Sequence, residues 1–335
     1  MNDCAVLAEE YRGGILDLVH EGYVCVVNED GQVIASAGNP DAMVYYRSAS
    51  KPFQALPVIA RRLDEAYGLT EEETTIFSGS HLGEPFHVDA LRSIFKKTGL
   101  NPDDLIMHPA APGSVSANEA RIRQGLPLSK LYHNCSGKHA GAMLLQKALD
   151  PEHVQDYWKV NSAAQREILR AVALLSEFPA EETGIGIDGC GVPVFAVPIK
   201  NIAIGFKNLA CIDTIEDDAL RSAAERYVPR IHRYPHMMRG TGYLCSLINH
   251  DENIVGKGGA NGVYGFGLKK ERLGISLKLK DGTEAMWPIL IAEILRQLGY
   301  KNQATFDMLE SLNSGVVIND NDTPVGVCKA VFKLF

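Results

Sequence analysis

Positive charge, long apolar runs and a paired set of cysteines are all scarce in this chain. Of its 335 residues, 33 are lysine or arginine and 41 are aspartate or glutamate, which gives a formal net charge of −8. The basic residues form no stripe of the kind that binds a phosphate backbone, so we expect no nucleic-acid partner. The seven cysteines are odd in number and scattered, which argues against a disulfide framework and favours reduced thiols.

The sequence also carries no recognisable signal for secretion or for a membrane. Residues 1–10 contain neither the basic start nor the apolar core of a signal peptide. The longest apolar run, residues 287–292, is soon followed by Glu293 and falls far short of the ~20 residues that span a bilayer. We therefore expect a cytoplasmic protein without a membrane partner.

The distribution of strand and helix patterns predicts the fold class. Turn residues at 28–31 and 281–283 follow short apolar strands, so hairpins are expected near both ends of the chain. Helical patterns are present at residues 50–67, 71–77, 87–98, 137–149, 160–177, 216–228, 285–298 and 304–312. We predict an α+β fold with a central antiparallel sheet formed by both chain ends and flanked by helices, and with an inserted helical region.

The length of the chain allows one large domain or two lobes. No glycine-, serine- or proline-rich linker marks a boundary. We predict a single domain over residues 1–335, within which a sheet lobe (about 10–50 and 190–335) and a helical lobe (about 51–180) can be distinguished.

The first candidate for chemistry is the pair Ser48 and Lys51 at the start of a predicted helix. A spacing of three residues places both side chains on one helix face. A lysine with a lowered pKa can accept the serine proton, and a helix N-terminus favours negative charge on the oxygen. The same spacing recurs at Ser93 and Lys96 on an ordinary solvated face, so the motif alone fits a helix cap with an exposed lysine equally well.

Four further segments hold side chains that suit a ligand site. A glycine-containing loop carries Ser80, and a glycine-rich segment carries Lys257. Near the start of a predicted helix, Cys135, Lys138 and His139 stand at i, i+3 and i+4, and the glycine-flanked residues 186–194 hold Asp188 and Cys190. Each has an ordinary alternative: a plain turn, a flexible loop with a surface lysine, or a small buried cysteine.

Four blocks, at residues 47–55, 133–139, 187–193 and 240–242, occur in this order and together closely resemble the asparaginase II family of the rhizobial, thermolabile type. The blocks His-Asn-Cys-Ser-Gly-Lys-His and Asp-Gly-Cys-Gly are the most specific parts, and the resemblance extends from about residue 10 to the C-terminus. It implies hydrolysis of L-asparagine to L-aspartate and ammonia, and a fold similar to serine β-lactamases and serine-dependent glutaminases. We also expect a homodimer.

The resemblance also implies roles for individual residues. The two Ser–Lys pairs of the family fall on Ser48 with Lys51 and on Ser80 with Lys257. Its metal site falls on Cys135, Lys138 and Cys190, which implies a zinc ion that orders the pocket. The substrate is a small zwitterion, for which Asp188 suits the ammonium group and Arg47, His139 and backbone amides suit the α-carboxylate. Asn134 is a further candidate for substrate binding. Arg47 could instead pair with an acidic neighbour.

These parts predict a covalent mechanism. Ser48 attacks the side-chain amide carbon with Lys51 as general base, and water then hydrolyses the ester. Lys257 would lower the pKa of Lys51, Ser80 would carry protons between the two lysines, and backbone N–H groups near both serines would hold the oxyanion. Ser48 is favoured over Ser80 as nucleophile because of its position at a helix start.

Three alternatives remain. A glutaminase is the nearest, because one methylene of substrate length is worth only about 1–3 kcal/mol. A penicillin-interacting acylase is indicated faintly by Lys-Gly-Gly at residues 257–259, but no Ser-Asp-Asn motif accompanies it. A catalytically dead binding protein on the same scaffold is disfavoured, because both serines and both lysines are present.

Overall fold

The computed structural model describes residues 3–334, which form two compact units. Within the described residues, unit 1 comprises residues 3–49, 197–211 and 251–334, and unit 2 comprises residues 50–196 and 212–250. The sequence analysis assigned residues 190–196 and 212–250 to the sheet lobe, whereas the structure groups them with the helical unit. None of the described helices is long and apolar enough to cross a bilayer, and no disulfide joins the cysteines of the described chain.

The secondary structure alternates between strands and helices along the chain. The strands are β1 (Ala5–Arg12), β2 (Ile15–Val27), β3 (Val33–Ala37), β4 (Met43–Tyr45), β5 (Gly184–Ile187), β6 (Pro193–Pro198), β7 (Ile254–Gly259), β8 (Val263–Leu268), β9 (Leu273–Leu279), β10 (Val316–Ile318) and β11 (Pro324–Ala330). The helices are α1 (Lys51–Ala60), α2 (Leu63–Ala66), α3 (Glu71–Thr75), α4 (Pro85–Thr98), α5 (Val115–Arg123), α6 (Ser136–Leu149), α7 (Ala163–Leu175), α8 (Ile199–Ala210), α9 (Asp218–Arg233), α10 (Leu244–Leu247), α11 (Trp287–Gln297) and α12 (Gln303–Leu312).

Unit 1 is built on an antiparallel sheet with the order β10-β11-β1-β2-β9-β8-β7, and β3 pairs with β2. The strands of the two chain ends are neighbours, because Ala8 of β1 is opposite Ala330 of β11. On the other side of β1, strand β2 pairs with β9, where Val24 is opposite Leu277. The predicted α+β class, with an antiparallel sheet formed by both ends of the chain, is confirmed.

Glycines allow helix α8 to lie close to one face of this sheet. A Cβ atom added at Gly265 or Gly267 would collide with Phe206 of α8. On the opposite face, the Trp287 ring of α11 packs against Tyr264, with 5.1 Å between ring centroids. The two faces follow from the alternation of neighbouring strand residues, since Tyr264 and Gly265 are adjacent in β8.

Unit 2 is organised around α1, which packs against α6, α7 and α9. Its residues from Lys51 to Ile59 are all buried, and Pro52 stands in the first turn, where a missing N–H does no harm. Helix α6 approaches the turn at residues 76–78 closely, because a Cβ at Gly137 would collide with the Ile76 carbonyl. Strands β5 and β6 pair through residues 184–187 and 193–196, and the loop between them carries Asp188 and Cys190.

Candidate active site

Ser48 lies in a 3₁₀ turn, Arg47–Ser50, that leads directly into α1. The helix itself begins at Lys51, so Ser48 precedes the helix start that the sequence predicted for it. In a 3₁₀ turn, residues i and i+3 lie one above the other, which keeps the Ser48–Lys51 spacing meaningful. Arg47 has φ +48°, a conformation that costs a non-glycine residue energy and is concentrated at functional sites.

Lys51 is a fully buried lysine that contacts a serine hydroxyl. Its side chain is 0% exposed, and Nζ donates to the Gly79 carbonyl at 2.7 Å and to Ser80 Oγ at 3.0 Å. The Cys135 thiol lies 3.5 Å away. No carboxylate is among its hydrogen-bond partners in the part of the chain that the structure describes. Burial lowers the pKa of Lys51 and the charge of Lys138 lowers it further, while the neighbouring thiols act in the opposite direction.

Within unit 2, the lysine that lowers the pKa of Lys51 is thus Lys138, and the same role for Lys257 stays a prediction. Lys257 is buried in β7, where its ammonium contacts the carbonyl of Gly258. Gly259 lies on the same strand face as Lys257, and a Cβ there would be 2.5 Å from the Tyr46 oxygen and 2.9 Å from the Ala49 nitrogen. Within unit 1, Lys257 thus shares a sheet face with the chain segment that carries Ser48.

The Ser80 loop is held by the segment at residues 237–239. The Ser80 N–H donates to the Met238 carbonyl at 2.9 Å, and Arg239 Nη1 donates to the Ser80 carbonyl at 3.4 Å. The Ser80 N–H therefore already has a backbone partner, and the expectation that backbone N–H groups near the two serines hold an oxyanion stays a prediction. Gly79 is needed at the close approach, because a Cβ there would collide with the Met237 carbonyl.

A second contact, which sequence reasoning missed, ties the Ser80 loop to the start of α6. The Gly83 N–H donates to His81 Nδ1 at 3.1 Å. Burial lowers the pKa of His81, so the ring is neutral and its Nε2–H donates to Ser136 Oγ at 2.7 Å. This bond joins the residue after Ser80 to the residue after Cys135, so it fixes the Ser80 loop relative to the Cys135 thiol. Only the adjacency of His81 to Ser80 offered a signal in the sequence.

Two thiols and a lysine converge at the start of α6 and in the β5–β6 loop. Lys138 Nζ lies 3.2 Å from Cys190 Sγ and 3.7 Å from Asp188 Oδ2. Burial opposes the charged form of Lys138, but both thiols and the carboxylate outweigh it and raise its pKa. A hydrogen bond from Cys190 lowers the pKa of the Cys135 thiol, so Cys135 is the member of the pair that ionises more readily.

These three residues were predicted to bind zinc. Among residues 3–334, no group of three or more His, Cys, Asp or Glu side chains is arranged to hold a metal ion. The predicted set has two such side chains, and its third donor is the Lys138 amine, which must lose its proton to act as a ligand. Two sulfurs and one nitrogen are donors that zinc accepts, and their convergence fits such an ion.

The other predicted substrate contacts lie in different environments. Asp188 Oδ2 lies 3.7 Å from the Lys138 ammonium, and Oδ1 accepts the Gly189 N–H at 3.0 Å. Asn134 has an exposed side chain, while its carbonyl lies 3.5 Å from Lys51 Nζ. Arg47 is half-buried.

His139 is fully buried in α6, and its two ring nitrogens differ. Nδ1 lies 2.8 Å from Tyr157 Oη, whereas Nε2 has no hydrogen-bond partner among the described residues. Burial and the nearby charge of Lys138 lower the pKa of His139, so its ring is neutral. Tyr157 was not singled out by the sequence analysis, because it lies in an irregular segment without a motif.

Comparisons with known proteins place this arrangement in context. A protein-family model described as L-asparaginase II matches residues 8–330, and a search of curated proteins found no match. Among solved structures, Mglu in its native form is similar, with 15% identity and a TM-score of 0.47; the match covers 83% of this chain but only 64% of Mglu.

Two further solved structures are similar to this chain. A β-lactamase from Mycobacterium bovis has 14% identity and a TM-score of 0.42, with 82% of this chain and 94% of that chain covered. A Bacillus glutaminase, solved in the presence of 4.3 M NaCl, has 12% identity and a TM-score of 0.37, with 83% and 91% covered.

Proposed function

The chain belongs to the L-asparaginase II family, and from this premise we propose that it is an amide hydrolase that converts L-asparagine to L-aspartate and ammonia through a seryl acyl-enzyme. The observation that carries the proposal is the hydrogen bond of 3.0 Å between Lys51 Nζ and Ser80 Oγ. A buried lysine without a carboxylate partner favours its neutral form, and a neutral amine beside serine hydroxyls is a general base.

The hydrogen bonds of Lys51 support Ser48, rather than Ser80, as the nucleophile. A neutral amine has two N–H groups and one lone pair. Its two shortest hydrogen bonds, to Gly79 O and Ser80 Oγ, use both N–H groups. The lone pair is then left for another proton, and Ser48 stands one 3₁₀ turn before Lys51 in the chain.

The proposed reaction has two half-reactions. Ser48 Oγ attacks the side-chain amide carbon, and its proton passes to Lys51. Lys51 returns that proton, through Ser80, to the amide nitrogen; the C–N bond breaks and ammonia leaves. In the second half, water attacks the aspartyl ester, gives a proton to Lys51, and the Ser48 oxygen takes that proton as the ester bond breaks.

The remaining candidate residues would bind and order the substrate. His139 and Arg47 would serve its carboxylate and Asp188 its ammonium group, while Lys257, on the sheet face of the Ser48 segment, would add positive charge beside the reacting groups. Cys135, Lys138 and Cys190 would hold a zinc ion, whose chemistry would be to order the pocket, since Ser48 already supplies the nucleophile.

Ammonia release tests the substrate assignment. The purified chain is assayed with L-asparagine, L-glutamine and a chromogenic β-lactam, with Ser48→Ala as the inactive control. We expect the highest kcat/KM with L-asparagine and no β-lactam hydrolysis. A higher kcat/KM with L-glutamine would make the protein a glutaminase, and ammonia release from neither amide would refute the proposal.

A further inference from the structure

The buried ring of His139 offers an unused donor to a ligand, and a neighbouring tyrosine decides which ring nitrogen carries it. Tyr157 is itself fully buried. Its backbone carbonyl accepts hydrogen bonds from Gln165 Nε2 at 2.9 Å and from Ser162 Oγ at 3.2 Å. Its hydroxyl accepts the Ile106 N–H at 3.0 Å. These hydrogen bonds fix both the backbone and the hydroxyl of Tyr157 within the buried interior of unit 2.

The hydrogen bonds around Tyr157 Oη settle the tautomer of His139. Burial raises the pKa of Tyr157, so the phenol keeps its proton. If His139 Nδ1 carried a hydrogen and donated it, Oη would accept two bonds, and its own O–H would point into buried surroundings without an acceptor. If the phenol donates to Nδ1, every group is satisfied, because Oη donates once and accepts the Ile106 N–H. Because Nδ1 accepts the phenol proton and carries none itself, the ring hydrogen is on Nε2.

The resulting Nε2–H is a buried donor without an acceptor in the described chain. A buried donor that makes no hydrogen bond is destabilising, so this group calls for an acceptor from a ligand. A buried N–H donor of this kind takes an oxygen acceptor, and the strongest such acceptor on an amino-acid substrate is its α-carboxylate.

We propose that Tyr157 is a positioning residue that holds His139 as the Nε2–H tautomer, and that this N–H binds the α-carboxylate of the substrate. The identity of the ligand rests on the proposed function, whereas the tautomer does not. Because the contact persists in ground state and transition state, its loss raises KM more than it lowers kcat.

Imidazole ¹⁵N spectra test the tautomer without any substrate. The His139 signals are assigned by their absence from His139→Gln. We expect a protonated Nε2 in the wild type and a mixture of tautomers in Tyr157→Phe. A protonated Nδ1 in the wild type would overturn the proposal whatever the protein hydrolyses.

Binding of L-aspartate, measured by calorimetry at one fixed metal content, tests the ligand. Tyr157→Phe should weaken it about tenfold or more, as expected for a hydrogen bond to a charged group. The matched control is Tyr300→Phe, which removes the hydroxyl of another hydrogen-bonded tyrosine. Tyr300 contacts Asp251 in unit 1, so this variant should bind L-aspartate as the wild type does. In His139→Gln, whose amide retains a donor near the Nε2 position, adding Tyr157→Phe should cause little further loss.

The outcomes separate the two claims. Unchanged L-aspartate binding in Tyr157→Phe would overturn the positioning role. An Nε2–H tautomer in a protein that does not bind L-aspartate would overturn the carboxylate assignment and leave the tautomer standing. Tight L-aspartate binding that depends on Tyr157, in a protein that releases no ammonia from L-asparagine, would support the inference while the proposed reaction fails.

Discussion

Replacement of Lys51 by methionine should separate folding from catalysis. The variant loses two hydrogen bonds, at 2.7 and 3.0 Å, each worth about 1 kcal/mol net. It also removes a polar amine that is 0% exposed and has no carboxylate partner in the described chain, and burial of a polar group costs about 1–3 kcal/mol. These effects oppose each other, so the free energy of unfolding should change by less than about 2 kcal/mol.

The effect on turnover should be much larger. A general base supplies about 10²–10⁴-fold, and Lys51 is proposed to handle the proton in both half-reactions, so kcat should fall by about 10³-fold or more. Lys51→Arg should be equally inactive, because a guanidinium keeps the charge but does not accept a proton. Urea unfolding and ammonia release are measured on the same preparations. The matched control is Lys207→Met, which replaces another buried lysine, in α8. Turnover of Lys51→Met within tenfold of the wild type would refute the role of Lys51 as base.

Two further predictions concern acid stability and metal. Burial lowers the pKa of His87 to about 3, so its contribution to the free energy of unfolding is fully present above the unfolded-state pKa of about 6.5 and falls by ~1.4 kcal/mol per pH unit below it. Between pH 7 and 5, urea unfolding should show that the free energy of unfolding falls less steeply in His87→Gln than in the wild type or in the exposed control His153→Gln. Equal slopes of this free energy against pH would contradict this origin. Metal analysis of purified protein should find zinc in the wild type and none in Cys135→Ser. In this variant, KM should rise by a larger factor than kcat falls. Wild-type protein that contains no zinc under metal-replete conditions would contradict the metal proposal.

Parts of the fold could be read from the sequence because their signals are local. The predicted helix at residues 137–149 is α6 (Ser136–Leu149), and that at 304–312 is α12 (Gln303–Leu312). The sequence analysis did not predict helix α8. The helix begins directly after Pro198 without a side-chain cap, and most of its residues are buried, so the sequence lacks a start signal and a clear polar face. The long β1–β2 hairpin was also missed, although Gly13 and Gly14, both with positive φ, carry the turn signal that would have indicated it.

The residues of the candidate site carried signals in the sequence, but their pairings did not. The motifs indicated Lys51, Ser80 and Cys135, and the structure places Ser80 Oγ at 3.0 Å and Cys135 Sγ at 3.5 Å from Lys51 Nζ. That Asp188 faces Lys138 could not be inferred, because charge pairing depends on how the β5–β6 loop meets α6. Tyr157 gave no signal at all, since its role arises from tertiary contacts alone.

The central claim, a serine nucleophile at residue 48, is tested most directly by covalent labelling. A diazoketone analogue of L-asparagine alkylates the nucleophile that the substrate meets, and peptide mass mapping locates the label. The account predicts a single label on Ser48, prevented by L-aspartate and absent from Ser48→Ala. A label on Ser80 or Cys135, or full inactivation without any label on Ser48, would contradict it.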